Sequence, residues 1–139
     1  MTDTLRAGAV LRYPYLWARQ SKNGETEGRK PRPCAVILTS KSGNGQTELR
    51  LCAVTTQLPQ TGTCAVEVPE IEKRRAGLDG GAQLWVIVDE HNVDVLEQSF
   101  YIEPRSQIGA FSSAFTKDLQ AEMIVALRQR NSKSVRRRD

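Results

Sequence analysis

Apolar and polar positions along this chain change over in short bursts, a pattern that predicts strands for most of its length. Gly8 to Trp17 is β-branched and aromatic and predicts a first strand, with Pro14 marking an edge or a bulge. Cys34 to Thr39 is a continuous apolar run of strand length, and Ser40 to Gln46 is turn chemistry with Asn44-Gly45 as a hairpin signal. Glu48 to Thr56 predicts the next strand, broken by Pro59 and Gly62. Thr63 to Val68 alternates as a strand does, Pro69 to Arg75 fits one helical turn ended by Gly77, and Gln83 to Val88 is the clearest strand pattern in the chain. Asp89 to Asn92 predicts a turn, Val93 to Leu96 fits helix or strand, and Ser99 to Ile102 predicts a short strand.

The pattern changes period only near the end. Phe115, Leu119, Met123 and Leu127 recur every four residues with Ile124 beside them, which predicts a helix from Ser113 to Gln129 with Ser112 or Ser113 as N-cap. Residues 18–31 are charged and glycine-containing without periodicity and predict a long mobile loop. Short strands followed by one terminal helix predict a mainly β fold: a small curled sheet or barrel of about five to six antiparallel strands. One domain is expected over residues 1–130, with residues 131–139 as a disordered basic tail.

Charge sharpens this division. The chain has 139 residues and a net charge of +4, yet residues 128–139 hold six Lys or Arg against one Asp. The tail therefore carries +5 and the remaining body −1. Such a tail suits nucleic acid or an acidic partner, and equally a solvated terminus. No apolar window reaches membrane-span length and the N-terminus lacks a signal-peptide core, so a cytoplasmic protein without membrane contact is expected. Cys34, Cys52 and Cys64 form no CxxC pair and are flanked by Ala, Val or Leu, the usage of small hydrophobes in strand cores. With a single histidine, no metal site is expected, and no P-loop or GxGxxG predicts a cofactor.

Candidate chemistry begins in the loop Gly28-Arg29-Lys30-Pro31-Arg32-Pro33, which runs straight into the strand at Cys34. Each proline fixes its own φ and pushes the residue before it toward extended backbone, so Arg32 leaves a stiff chain at the mouth of a strand. A guanidinium held there suits a phosphate; the same residues equally fit a surface loop with an ordinary solvated arginine.

The order of segments adds to this. Gly8-Ala9-Val10, Arg32-Pro33 before Ala35-Val36-Ile37-Leu38, Ala53-Val54-Thr55-Thr56-Gln57, Gly77-Leu78, Leu84-Trp85-Val86-Ile87-Val88-Asp89 and Ile108-Gly109-Ala110-Phe111 follow one another before the last helix. In this order they resemble the PemK/MazF/Kid family, the toxin components of toxin–antitoxin modules, over residues 7–130. The resemblance implies a small SH3-like β-barrel with a packed helix, similar to the CcdB fold, and a dimer. It implies a type II toxin: a metal-independent endoribonuclease of single-stranded RNA, held silent by a cognate antitoxin. The family's Arg-Pro arginine falls on Arg32, its strand-end threonine on Thr55, and an aspartate used in some members on Asp89. An arginine often found two positions before that aspartate is replaced here by Ile87.

RNA cleavage through the ribose 2′-OH needs an acceptor for its proton and donors for the charge that develops on phosphorus. Arg32 and Thr55 are the expected donors. Asp89, Glu90 and His91, together after a strand, are the candidate bases; His91 matches on ordinary pKa, and the carboxylates serve equally to orient Arg32. Trp17, at a loop edge, is the candidate for stacking a base, with Arg29, Lys30 and Gln57 as further RNA contacts. The competing reading is a catalytically silent module of the same fold that binds nucleic acid or a protein, favoured by Ile87, by the near-neutral body and by the long 18–31 segment.

Overall fold

The structure is a computed structural model and describes residues 5–26, 30–99, 101–129 and 132–137. Its elements run β1 (Ala9–Tyr13), α1 (Ala18–Lys22), β2 (Arg32–Lys41), β3 (Thr47–Thr55), β4 (Ala65–Glu67), α2 (Glu70–Arg75), β5 (Trp85–Ile87) and β6 (Glu90–Val95). A 3-10 turn (Pro104–Ser106), β7 (Gln107–Ala110), α3 (Ser113–Arg128) and β8 (Lys133–Arg136) complete the chain. The fold is mainly β with a C-terminal helix packed on the sheet.

The strands join into one eight-stranded system along the path β4-β5-β3-β2-β1-β7, with β6 also on β3 and β8 on β6. Pairing among the described residues leaves β4 and β7 at the two ends of that path, and β6 with β8 is its parallel pair. β3 is the pivot. One edge lies along β2, while the other meets β6 from Glu48 to Leu51 and β5 at Val54 and Thr55. The two partners part opposite Cys52 and Ala53, where the chain passes from β5 into β6.

The continuous apolar run in β2 is explained by two cores, one on each face of the sheet. Ala35 and Ile37 join Val10, Cys52, Val54 and Val86 beneath α3, which contributes Phe115, Leu119 and Met123. Cys34 and Val36 face the other way, with Leu11, Tyr13, Tyr15, Leu49 and Leu51. A bulge at Ile37 interrupts the β2–β3 register, and the Gln120 side chain of α3 donates to the Ile37 carbonyl at 2.9 Å. A bulged residue drops out of the ladder, so the helix supplies the partner that the sheet does not. Gly109 is obligatory for packing: a Cβ there would meet the Ala76 backbone at 2.4 Å.

Ser112 caps α3 by accepting from the Phe115 N–H at 3.2 Å, as expected. The buried stripe ends on Ala126 rather than Leu127, which is exposed together with Ile124. A helix turns once in 3.6 residues, so a strict four-residue repeat drifts off the sheet by its last turn.

Several expectations are corrected. The 18–31 segment contains α1, whose Ala18 packs with Leu16 and Val135. Glu90 to Asn92 form the start of β6 rather than a turn, with Asp89 alone in the bend before it, and Ser99, Tyr101 and Ile102 lie outside any strand. Cys64 is exposed, unlike Cys34 and Cys52. The expected disordered tail of residues 131–139 instead contributes β8, and Arg137 beyond it is buried. Arg137 donates to the Pro14 carbonyl at 2.7 Å and lies over the rings of Tyr13 and Tyr101, at 5.2 and 4.6 Å from their centroids. Among the described residues its Nε and Nη2 find no hydrogen-bond acceptor, and the aromatic faces are what the rest of the guanidinium meets. No described helix is long and apolar enough to cross a membrane.

Candidate active site

Where β5 gives way to β6 the surface opens into a groove of about 470 Å³. Arg32, Thr55, Asp89 and Glu90 line it, with Trp17 and Gln57 from the RNA-binding expectation, and with Arg19, Lys133 and Ile87. The residues are up to 116 positions apart, from Trp17 to Lys133, and are gathered by the sheet.

Arg32 opens β2, its backbone paired opposite Tyr13. Its guanidinium lies 5.6 Å from the centroid of the Trp17 indole, and that of Arg19 lies 5.1 Å from the same ring. Trp17 also meets Tyr15 edge-on at 4.8 Å. The indole is thus a seat for two guanidinium groups, and its part in the groove is to fix them before any base arrives. Among the described residues neither Arg19, Arg32 nor Lys133 is in an ion pair. Three cations in no ion pair among the described residues, set against the two carboxylates Asp89 and Glu90, leave the concavity receptive to an anion.

Thr55 closes β3 and is nearly buried. Its Oγ1 accepts from the Gln57 N–H at 3.0 Å, which leaves the hydroxyl proton to be donated into the groove. Asp89 accepts from the Cys64 N–H through Oδ2 at 3.1 Å, and its carbonyl accepts from the Lys133 N–H at 2.9 Å. Glu90 is half-buried; its Oε2 accepts from the Tyr15 hydroxyl at 3.0 Å and from the Ala18 N–H at 2.9 Å. Burial raises the Glu90 carboxyl above the usual carboxylate range, opposed by those two donors and by the charges of Lys133 and Arg19.

His91 is not in the groove. Strand alternation, which a turn would not impose, sends it to the face opposite Glu90. There it is fully buried, with Nε2 2.8 Å from Arg50 Nη1 and Nδ1 3.3 Å from Ser132 Oγ. Arg50 can only donate, so Nε2 accepts and the proton sits on Nδ1. Burial, and then the Arg50 charge, push the imidazole down to about 4. The folded state therefore binds fewer protons than the unfolded chain between that value and about 6.5. His91 accordingly favours folding fully above pH ~6.5, and this contribution is lost as pH falls toward 4. Thermal unfolding should show a decline in Tm across that window, and His91→Gln, whose amide oxygen still accepts from Arg50, should flatten it by close to one proton per molecule. A decline unchanged in the variant would remove His91 as its source.

Lys30 is exposed and does not line the groove, and Arg29 lies outside the described residues. Two lining cations escaped the sequence reading. Arg19 sits in a helix of five residues, too short for periodicity to register. Lys133 belongs to a strand whose single apolar residue is Val135. No protein-family model matches the chain, and no curated protein does.

Proposed function

We propose that this protein is an endoribonuclease of single-stranded RNA and the toxin component of a type II toxin–antitoxin module, on a partly open SH3-like barrel of the PemK/MazF kind. The observation that carries this reading is the convergence of Arg32 and Thr55, distant in sequence, on one groove that also holds the Asp89–Glu90 pair. The strand β3, shared between two sets of partners, supports the barrel reading. A cognate antitoxin and a second copy of the chain are the proposed protein partners.

In this reading the 2′-oxygen attacks phosphorus as Glu90 takes its proton. A carboxylate raised by burial is a better base near neutral pH than an ordinary one. Asp89 is committed to the Cys64 N–H and shapes the bend. Arg32 meets the charge that grows on the phosphorane, and the Thr55 hydroxyl donates to a non-bridging oxygen. The bond to the 5′-oxygen breaks, and water in the open groove protonates the departing oxygen. The products are a 2′,3′-cyclic phosphate and a 5′-hydroxyl.

The test is incubation of purified protein with mixed-sequence single-stranded RNA in excess EDTA, with the ends of any fragments mapped. Fragments bearing cyclic phosphate and 5′-hydroxyl ends are expected. One feature favours the silent binding module: Ile87 lines the groove where an arginine would have added a donor. Tight RNA binding with no cleavage across diverse sequences would select that module and reject the nuclease.

A further inference from the structure

The groove has a second cationic wall that the proposed chemistry does not use. Arg19 projects from α1 and Lys133 from β8, elements joined by the buried cluster of Leu16, Ala18 and Val135. Lys133 is not on a loose tail: its N–H donates to the Asp89 carbonyl at 2.9 Å, and its backbone is in register with Glu90. Farther along, the Arg137 N–H donates to Val93 O at 2.8 Å and the Arg137 guanidinium is clamped beneath Pro14. The spacing of the two elements is thus set by the core. Both side chains are exposed, both line the groove, and neither is ion-paired among the described residues. Both also act electrostatically on Glu90, which lines the same groove.

We propose that Arg19 and Lys133 together form a second phosphate subsite, which grips a phosphodiester next to the one at Arg32 and Thr55. The inference rests on the nucleic-acid reading above and deepens it: the substrate is a strand with at least two consecutive phosphates, and β8 is part of the binding surface. The positive charge of the C-terminal segment then acts at a fixed place rather than as a diffuse cloud. Deleting the segment is a poor test, because Val135 and Arg137 are buried. Substituting the two exposed side chains leaves the core as it is.

The experiment measures binding of a pentanucleotide carrying 2′-deoxyribose at every position, which removes the nucleophile, against salt concentration. A dinucleoside monophosphate serves as its single-phosphate competitor. For single strands, each phosphate contact contributes about 0.7 to the slope of log K against log salt. The Arg19→Gln/Lys133→Gln double variant is expected to lower the pentanucleotide slope by ~0.7, the share of one phosphate, and each single variant by no more than that, because the two cations share it. None should weaken the dinucleoside monophosphate. If the double variant leaves the slope unchanged, or weakens both ligands alike, the second subsite is rejected while RNA binding by the wild type keeps the nuclease reading standing. If the wild type binds no pentanucleotide, and a ribose version is neither bound nor cut, both fall together.

Discussion

Replacing Arg32 with alanine is expected to lower kcat on single-stranded RNA by ~10³-fold, and replacing it with lysine by ~10²-fold, with KM changed far less. The reason lies in when the charge appears. The ground-state phosphodiester carries one negative charge; the phosphorane concentrates more on its equatorial oxygens, so a donor aimed at them acts mainly in the transition state. Lysine keeps the charge but loses the planar fork and the stacking on Trp17 that hold the guanidinium in place. The variants should fold. Arg32 is half-buried and among the described residues makes no ion pair, so the lost cation–π contact costs roughly 1 kcal/mol of stability at most. Steady-state kinetics beside thermal melts decides the matter. A loss confined to KM would make Arg32 a binding residue only, and full activity in Arg32→Ala would remove it from the chemistry.

Arg32 was legible because its constraints are local. Two prolines fix the backbone, and the apolar run from Cys34 declares a strand, which β2 extends back by two residues to Arg32. Thr55 ends β3, one residue short of the predicted strand, and only the resemblance, not a local constraint, singled it out. β6 was illegible for the opposite reason. Glu90, His91 and Asn92 read as turn residues and Asp94 falls in a stretch that fits helix or strand, yet each is satisfied by a partner far along the chain. Asn92 exchanges two hydrogen bonds with the Leu16 backbone, at 2.9 and 2.7 Å, and Asp94 accepts from the Tyr13 hydroxyl at 2.7 Å. Propensity registers the lone polar side chain and not the distant donor that makes its burial tolerable. β8 is a stronger case, since Lys-Ser-Val-Arg carries almost no strand pattern and is held by its parallel register with β6 and by Arg137. The error over His91 follows from β6: in a turn it would share a rim with Glu90, whereas in a strand it cannot.

Glu90→Gln should separate chemistry from stability. The amide oxygen of glutamine still accepts from the Tyr15 hydroxyl and the Ala18 N–H, so the contacts that bind α1 to β6 persist. What disappears is the proton acceptor, and removing a general base typically costs ~10²–10⁴ in rate. The pH profile carries the sign. As a base, Glu90 works only when ionised, so wild-type kcat/KM should rise with pH through the raised carboxyl pKa and then level; the variant should lose that limb. Stability moves the other way. A carboxyl whose folded pKa lies above its unfolded value favours folding most below the unfolded pKa, and this contribution is lost as pH rises through the folded one. At neutral pH the ionised side chain is a half-buried charge that the fold carries at a cost, and the neutral amide should therefore melt no lower than wild type. A variant that is slower by at least a hundredfold yet equally or more stable identifies Glu90 as the base. One that keeps its rate and its pH limb passes the role to Asp89, whose Oδ1 accepts no hydrogen bond among the described residues and becomes the acceptor to test by Asp89→Asn.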